Sequence, residues 1–121
     1  MKNLSEIYSE VEKCPIRNVL DRFGDKWSLL IILILKDEEK LRFNEIQKCI
    51  GDISQKMLTV SLRTLEADGL VSRKVYPEIP PKVEYKLTEM GKSLVPHINN
   101  LSQWANQHMD AIVKSRKKYK R

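Results

Sequence analysis

A mainly helical α+β fold, a winged helix-turn-helix with a two-stranded wing and a long C-terminal dimerisation helix, is predicted by three observations in this 121-residue chain. Residues 51–53, Gly-Asp-Ile, separate two amphipathic stretches by the three-residue turn of a helix-turn-helix. The second stretch stops at Gly69 and passes straight into two alternating segments, 70–76 and 82–87. Between them lies Pro77-Glu78-Ile79-Pro80-Pro81, a stiff tip, because proline donates no hydrogen bond to a β ladder. Further on, Leu94, Ile98, Leu101, Ala105, His108 and Ile112 recur at intervals of 4, 3, 4, 3 and 4, the heptad stripe of a coiled-coil-like seam.

The elements follow in order. Residues 1–13 are polar, with Leu4, Ile7, Tyr8 and Val11 at helical spacing, and predict an N-terminal arm or helix. Pro15 suits the first position of a helix, where its missing N–H costs nothing. Residues 15–23 then place Ile16, Val19, Leu20 and Phe23 on one face. Gly24 ends that helix, and Asp25 caps the next, 26–36. This segment is apolar nearly all round and should be the central core helix; its length and cap favour helix over strand. A charged loop at 37–40 and a short strand at Leu41-Arg42 lead to a helix at 43–50, with Phe43, Ile46 and Ile50 inward. Gly51 is its C-cap. Ser54 caps the following helix, with Ile53 stapled on Leu58, and Leu58, Leu62 and Leu65 face the core. In the second strand, Val83, Tyr85 and Leu87 point inward and Lys82, Glu84 and Lys86 outward. Thr88 caps the last helix, which Pro96 should kink.

Hydrophobic content of 41% and charged content of 31% are those of a globular domain with one core, which argues against a disordered chain. No run reaches the roughly 18 apolar residues of a membrane span. The first ten residues carry acidic groups and no apolar core, so no signal peptide is read there and a cytoplasmic protein is expected. The net charge is +6, from 22 Lys and Arg against 16 Asp and Glu. The last eight residues, KSRKKYKR, hold six of those basic groups, and without them the balance is 16 against 16. The excess charge is thus a property of the tail, and suggests affinity for polyanions without locating a site. Cys14, Cys49, His97 and His108 fit no metal-ligand spacing, so no metal and no cofactor are expected. No nucleophile–base pair, carboxylate dyad or phosphate loop suggests an enzyme.

The chemistry that does stand out belongs to the helix after Ser54. At 100° per residue, Lys56, Thr59 and Arg63 lie within about 60° of arc, with Val60 beside them, opposite the leucines. Arg63 and Lys56 suit guanine O6/N7 or phosphate, Gln55 suits adenine, and Thr59 suits a phosphate or a thymine methyl. Ser54 and the free N–H groups of the helix start favour a phosphate. In the wing, Lys82 and Lys74 would lie near the DNA backbone or minor groove. An apolar or acidic outer face would instead signal a winged-helix module that binds protein rather than DNA, and Val60 is a mild dissent in that direction.

These residues carry a resemblance to the HxlR-type (DUF24) winged helix-turn-helix regulators, relatives of the MarR group. It rests on Cys14-Pro15, Gly24-Asp25-Lys26-Trp27, LRFNEI at 41–46, ISQKMLT at 53–59, LRTLEADGL at 62–70 and YPEIPPKVEYKLT at 76–88. The resemblance covers about residues 14–104. It implies a homodimeric transcriptional regulator, a repressor by expectation, on a pseudo-palindromic double-stranded operator. The chain divides on this reading into an arm (1–13), an HxlR-type domain (14–106) and the helix end with the basic tail (107–121). The family includes members that sense oxidants or electrophiles through a cysteine just before this proline. Cys14, at a helix N-terminus beside Lys13, is placed for thiolate stabilisation. Cys49, near a helix C-terminus and next to Ile50, is expected to be a buried structural thiol. A disulfide between Cys14 of one copy and Cys49 of the other would require Cα atoms within about 7 Å. Control by a small ligand between the first helices and the dimer helix is the alternative to thiol chemistry.

Overall fold

The computed structural model describes residues 3–119. Residues 1–2 of the expected arm and the last two basic residues of the tail lie outside that range. The elements are α1 (Leu4–Tyr8), a 3₁₀ turn (Val11–Lys13), α2 (Pro15–Phe23), α3 (Lys26–Asp37), α4 (Phe43–Ile50), α5 (Gln55–Ala67), β1 (Val71–Tyr76), β2 (Lys82–Leu87) and α6 (Glu89–Lys118).

Each boundary has a local cause. The Asp25 carboxylate accepts from the Ser28 amide at 2.9 Å and from the Ser28 hydroxyl at 2.9 Å, which caps α3. The Ser54 hydroxyl accepts from Met57 N at 3.1 Å and starts α5. At the start of α4 the Arg42 amide donates to Glu45 Oε1 at 2.8 Å, half of a capping box. Gly51, at φ 92°, sits in a conformation L-residues rarely adopt, and lets the chain leave α4 toward α5. Across that turn, Gln47 Nε2 donates to the Ile53 carbonyl at 3.2 Å.

As its uniform apolarity requires, α3 packs on α4, α5, α6 and β2. The core is Ile31, Ile32 and Leu35 of α3, Ile46 of α4, and Leu58, Leu62 and Leu65 of α5. It is closed by Val71, Leu87 and Ile98. β1 and β2 pair antiparallel, with Val71 opposite Leu87 and Arg73 opposite Tyr85. The short strand expected at 41–42 is a one-residue bridge, Leu41 to Tyr85, with mutual hydrogen bonds of 2.9 and 2.8 Å.

Thr88 does more than cap. Its hydroxyl donates to the Gly69 carbonyl at 2.6 Å and accepts from Gly91 N at 3.0 Å, so it joins the end of α5 to the start of α6. α6 runs through Pro96 as one helix of 30 residues. Its last buried residue is Ile98. The 20 residues beyond it extend for about 30 Å at 1.5 Å per residue.

Two expectations change. Ile16 and Leu20 share the apolar face of α2 with Val19 and Phe23, yet both are exposed while Phe23 is buried. Glu84, expected to face solvent, is buried. The loop before α4 and Tyr76 close over that face of the wing, which strand alternation alone does not register.

Candidate nucleic-acid interface

α5 presents its polar face because its apolar face is committed. Leu58, Leu62 and Leu65 are buried, and Ser54, Gln55, Lys56 and Arg63 are exposed with Thr59 half-buried. Among the described residues Lys56 and Arg63 form no ion pair or hydrogen bond, so neither must give up a partner to meet an anion. Met57 and Val60 are also exposed and make the face partly apolar. Ser54→Ala should lower stability by about 1 kcal/mol through the lost cap; chemical denaturation checks it.

The wing is less free than its sequence suggests. Lys74 is exposed, with its ammonium 4.9 Å from the Tyr76 ring centroid. Lys82 is half-buried, 3.5 Å from Glu84 Oε2 and 5.0 Å from the Tyr76 ring. Its charge is largely spent inside the wing, and Lys40 shares Glu84 from the other side at 3.6 Å. The Tyr76 hydroxyl, and then Lys40 and Lys82, hold the Glu84 carboxyl below the usual glutamate range, against the opposing effect of burial. A carboxyl lowered in the folded state stabilises above its unfolded value and loses that contribution as pH falls through its folded one. Glu84→Gln should therefore melt lower than wild type at neutral pH, and the gap should close in acid, below the ordinary glutamate value of about 4.3. Thermal melts across pH check this; a gap that persists in acid would mean a steric rather than ionic effect.

Burial separates the two cysteines, and at Cys49 it differs from expectation. Cys14 is 3% exposed and Cys49 is exposed, the reverse of the burial expected for Cys49. Cys14 is the N-cap residue of α2, as its proline predicts, but α1 folds back against it, with Ile7, Tyr8 and Ile16 around the same hollow. Arg17 holds α1 there by donating to the Tyr8 carbonyl at 3.0 Å and to the Ser9 carbonyl. Cys49 is exposed in the last turn of α4, one residue before its end. Cys49 should react with a thiol reagent at least about tenfold faster than Cys14, and Arg17→Ala should narrow the difference by freeing α1. Timed alkylation read by mass spectrometry checks it.

Between α2 and α6 lies a groove of about 530 Å³ lined by Val19, Phe23, Met90, Leu94, Asn18 and His97, with no residue of α3. No group of three or more His, Cys, Asp or Glu side chains among the described residues could hold a metal ion, and none of their helices is long and apolar enough to cross a membrane.

A four-residue turn between α4 and α5 that ends in the Ser54 cap, a polar outer face on α5 and a hairpin beside it define a winged helix-turn-helix protein. Residues 22–113 match the model of the HxlR-like helix-turn-helix family, and the chain belongs to that family. It is 42% identical over 112 residues to the HTH-type transcriptional regulator YybR of Bacillus subtilis, covering 93% of this chain and 89% of that one. The redox regulator HypR in its reduced form superposes with a TM-score of 0.76 at 42% identity, covering 83% of this chain and 98% of that one. The reduced form of the regulator YodB from B. subtilis gives 0.66 at 42% identity, over 78% and 92%.

Proposed function

We propose that this chain is a homodimeric transcriptional repressor, and not an enzyme, that reads a pseudo-palindromic DNA operator with α5 in the major groove and the wing against the flanking backbone. The observation that carries the reading is the division of α5: a leucine face sealed in the core, and Ser54, Gln55, Lys56, Thr59 and Arg63 on the free side. Lys74 lies at the wing surface and Lys82 contributes as part of the Glu84 network. A dimer sets two copies of α5 about one helical turn of DNA apart, or a multiple of it.

Selection from a random duplex pool tests the reading. Wild type should enrich a two-fold symmetric motif with half-sites about 10 base pairs apart or a multiple. Arg63→Ala should cost about 1–3 kcal/mol on that motif. Failure to enrich any motif would sink the proposal.

Thiol control through Cys14 is supported by the similarity to HypR, a redox regulator by its description, and by the helix N-terminal position. Burial adds a condition: α1 must open before Cys14 can meet Cys49 of a second copy. Diamide would accept the two electrons and two protons released when the S–S bond forms. Operator affinity with and without diamide, on wild type and Cys14→Ser, checks it; equal affinities in all four conditions would exclude thiol control.

A further inference from the structure

The wing and α5 enclose a notch of about 220 Å³, lined by Thr59, Arg63 and Glu66 of α5, Arg73 and Tyr85 of the wing, and Phe43 at the start of α4. We propose that this notch seats one DNA backbone phosphate, gripped by Arg73 and Arg63, and that Glu66 holds Arg73 in place until DNA arrives. The inference rests on the DNA-binding reading and extends its contacts to two residues, Arg73 and Glu66, that the sequence patterns did not single out.

Helical and strand periodicity put these groups together. Thr59, Arg63 and Glu66 fall at i, i+4 and i+7 on the flank of α5 that faces the wing. Arg73 and Tyr85 are direct cross-strand partners, so both stand on the sheet face turned toward α5. Deeper on that face, Val71 and Leu87 are buried; farther out, Val75 is exposed. Arg73 thus marks the point where the wing leaves the core. Thr59 and Arg63 belong to the DNA-reading face as well, so the notch is continuous with it.

The charges favour an anion. Arg73 Nε lies 3.6 Å from Glu66 Oε1, and both side chains are more than two-fifths exposed, so the pair is loose and weakly held. Arg63 has no partner among the described residues. Two guanidinium groups against one carboxylate leave a single positive charge in excess, matched to one phosphodiester. The Tyr85 hydroxyl feels all of them: burial first, then Glu66, push its pKa up, while Arg73 and Arg63 pull it down. A guanidinium gains more from a phosphate than from a solvated carboxylate, because its planar fork can bond two phosphate oxygens at once. Exchange of Glu66 for phosphate therefore costs the free protein little.

The test is the salt dependence of duplex binding by the full chain, on its selected operator and on a scrambled duplex. Arg73→Gln should lower the slope of log affinity against log salt by about 0.9, the loss of one phosphate contact. It should weaken both duplexes by a similar factor, about 5–20-fold, as expected of a contact that carries no base information. Arg73→Lys, which keeps the charge, should keep the slope. Glu66→Gln should bind tighter than wild type, and the gain should vanish when combined with Arg73→Gln. An unchanged slope and affinity in Arg73→Gln would overturn the proposal, and so would a loss confined to the operator, which would make Arg73 a base reader. Inorganic phosphate at constant ionic strength should not displace DNA from wild type. If it does so from wild type but not from Arg73→Gln, the notch is a free-anion site and the backbone assignment falls. Selective operator binding by wild type tests the underlying reading separately from these slopes.

Discussion

Gly91→Ala is expected to lower the melting temperature by several degrees, although alanine is the better helix former. A Cβ at Gly91 would stand 2.1 Å from the Leu70 carbonyl oxygen and 3.2 Å from Leu87 Cδ2. The first of these is backbone, held by its own hydrogen bond from Thr88 N at 3.1 Å, so it cannot swing away as a side chain would. Alanine gains about 1 kcal/mol of helix propensity over glycine. The overpacking it forces costs about 1–3 kcal/mol, and more where backbone must move. Subtracting that gain leaves a net loss of about 1–2 kcal/mol where the cost is at the upper end of its range, and at about 3–5 °C per kcal/mol for a chain of this size it is visible in a thermal melt. A variant as stable as wild type would mean that α6 does not seat on Leu70 this closely. Gly51 makes the contrast: nothing lies within 4 Å of its would-be Cβ, and only its φ of 92° opposes a side chain.

Leu101→Asp should convert the protein to a monomer and reduce operator affinity by about 10²–10⁴-fold, the advantage that linking two half-site readers confers. Beyond Ile98 the free part of α6 carries Leu101 at 57% exposure and Trp104 at 51%, with Met109 exposed on the same side. Trp104 is stiffened by His108, whose ring stacks on it at 4.4 Å and whose Nδ1 donates to the Trp104 carbonyl at 2.8 Å. On α2, Ile16 and Leu20 are likewise uncovered. Leu101 and Trp104, three residues apart on α6, make an exposed apolar face of the kind that marks an interaction site. Sedimentation velocity at micromolar concentration gives the first readout and gel shift the second. A dimeric Leu101→Asp that still binds its operator would place the interface elsewhere. The charge introduced at position 101 touches no core residue, so folding should survive it.

How far the sequence reveals the molecule follows from the range of the forces involved. Caps and short-range periodicity act within one or two turns of chain. The ends of α2, α4 and β2, and the caps Asp25, Ser54 and Thr88, were therefore readable. The division of α5 into core and free faces was readable for the same reason. What escaped depends on segments far apart in sequence. Glu84 looked like an outward strand residue, but Lys40 and Tyr76 converge on it from elsewhere. Cys14 was legible as a thiol at a helix start, but not that α1 is folded over it by Arg17. The Arg73–Glu66 pair joins a strand to a helix and has no signature in either alone. The α6 stripe was legible as a pattern, and only the fold shows that its first part is core and the rest surface.

The Thr88 hydroxyl has a consequence for signalling. It bridges the last turn after α5 and the first turn of α6, through Gly69 and Gly91. One small side chain thus ties the end of α5, the helix proposed to read DNA, to the start of α6, the arm proposed to meet a second copy. A modest tilt there would be magnified along the projecting arm into a change in the distance between two reading heads. Loss of that one oxygen atom would loosen the link between the two helices without altering the outer face of either.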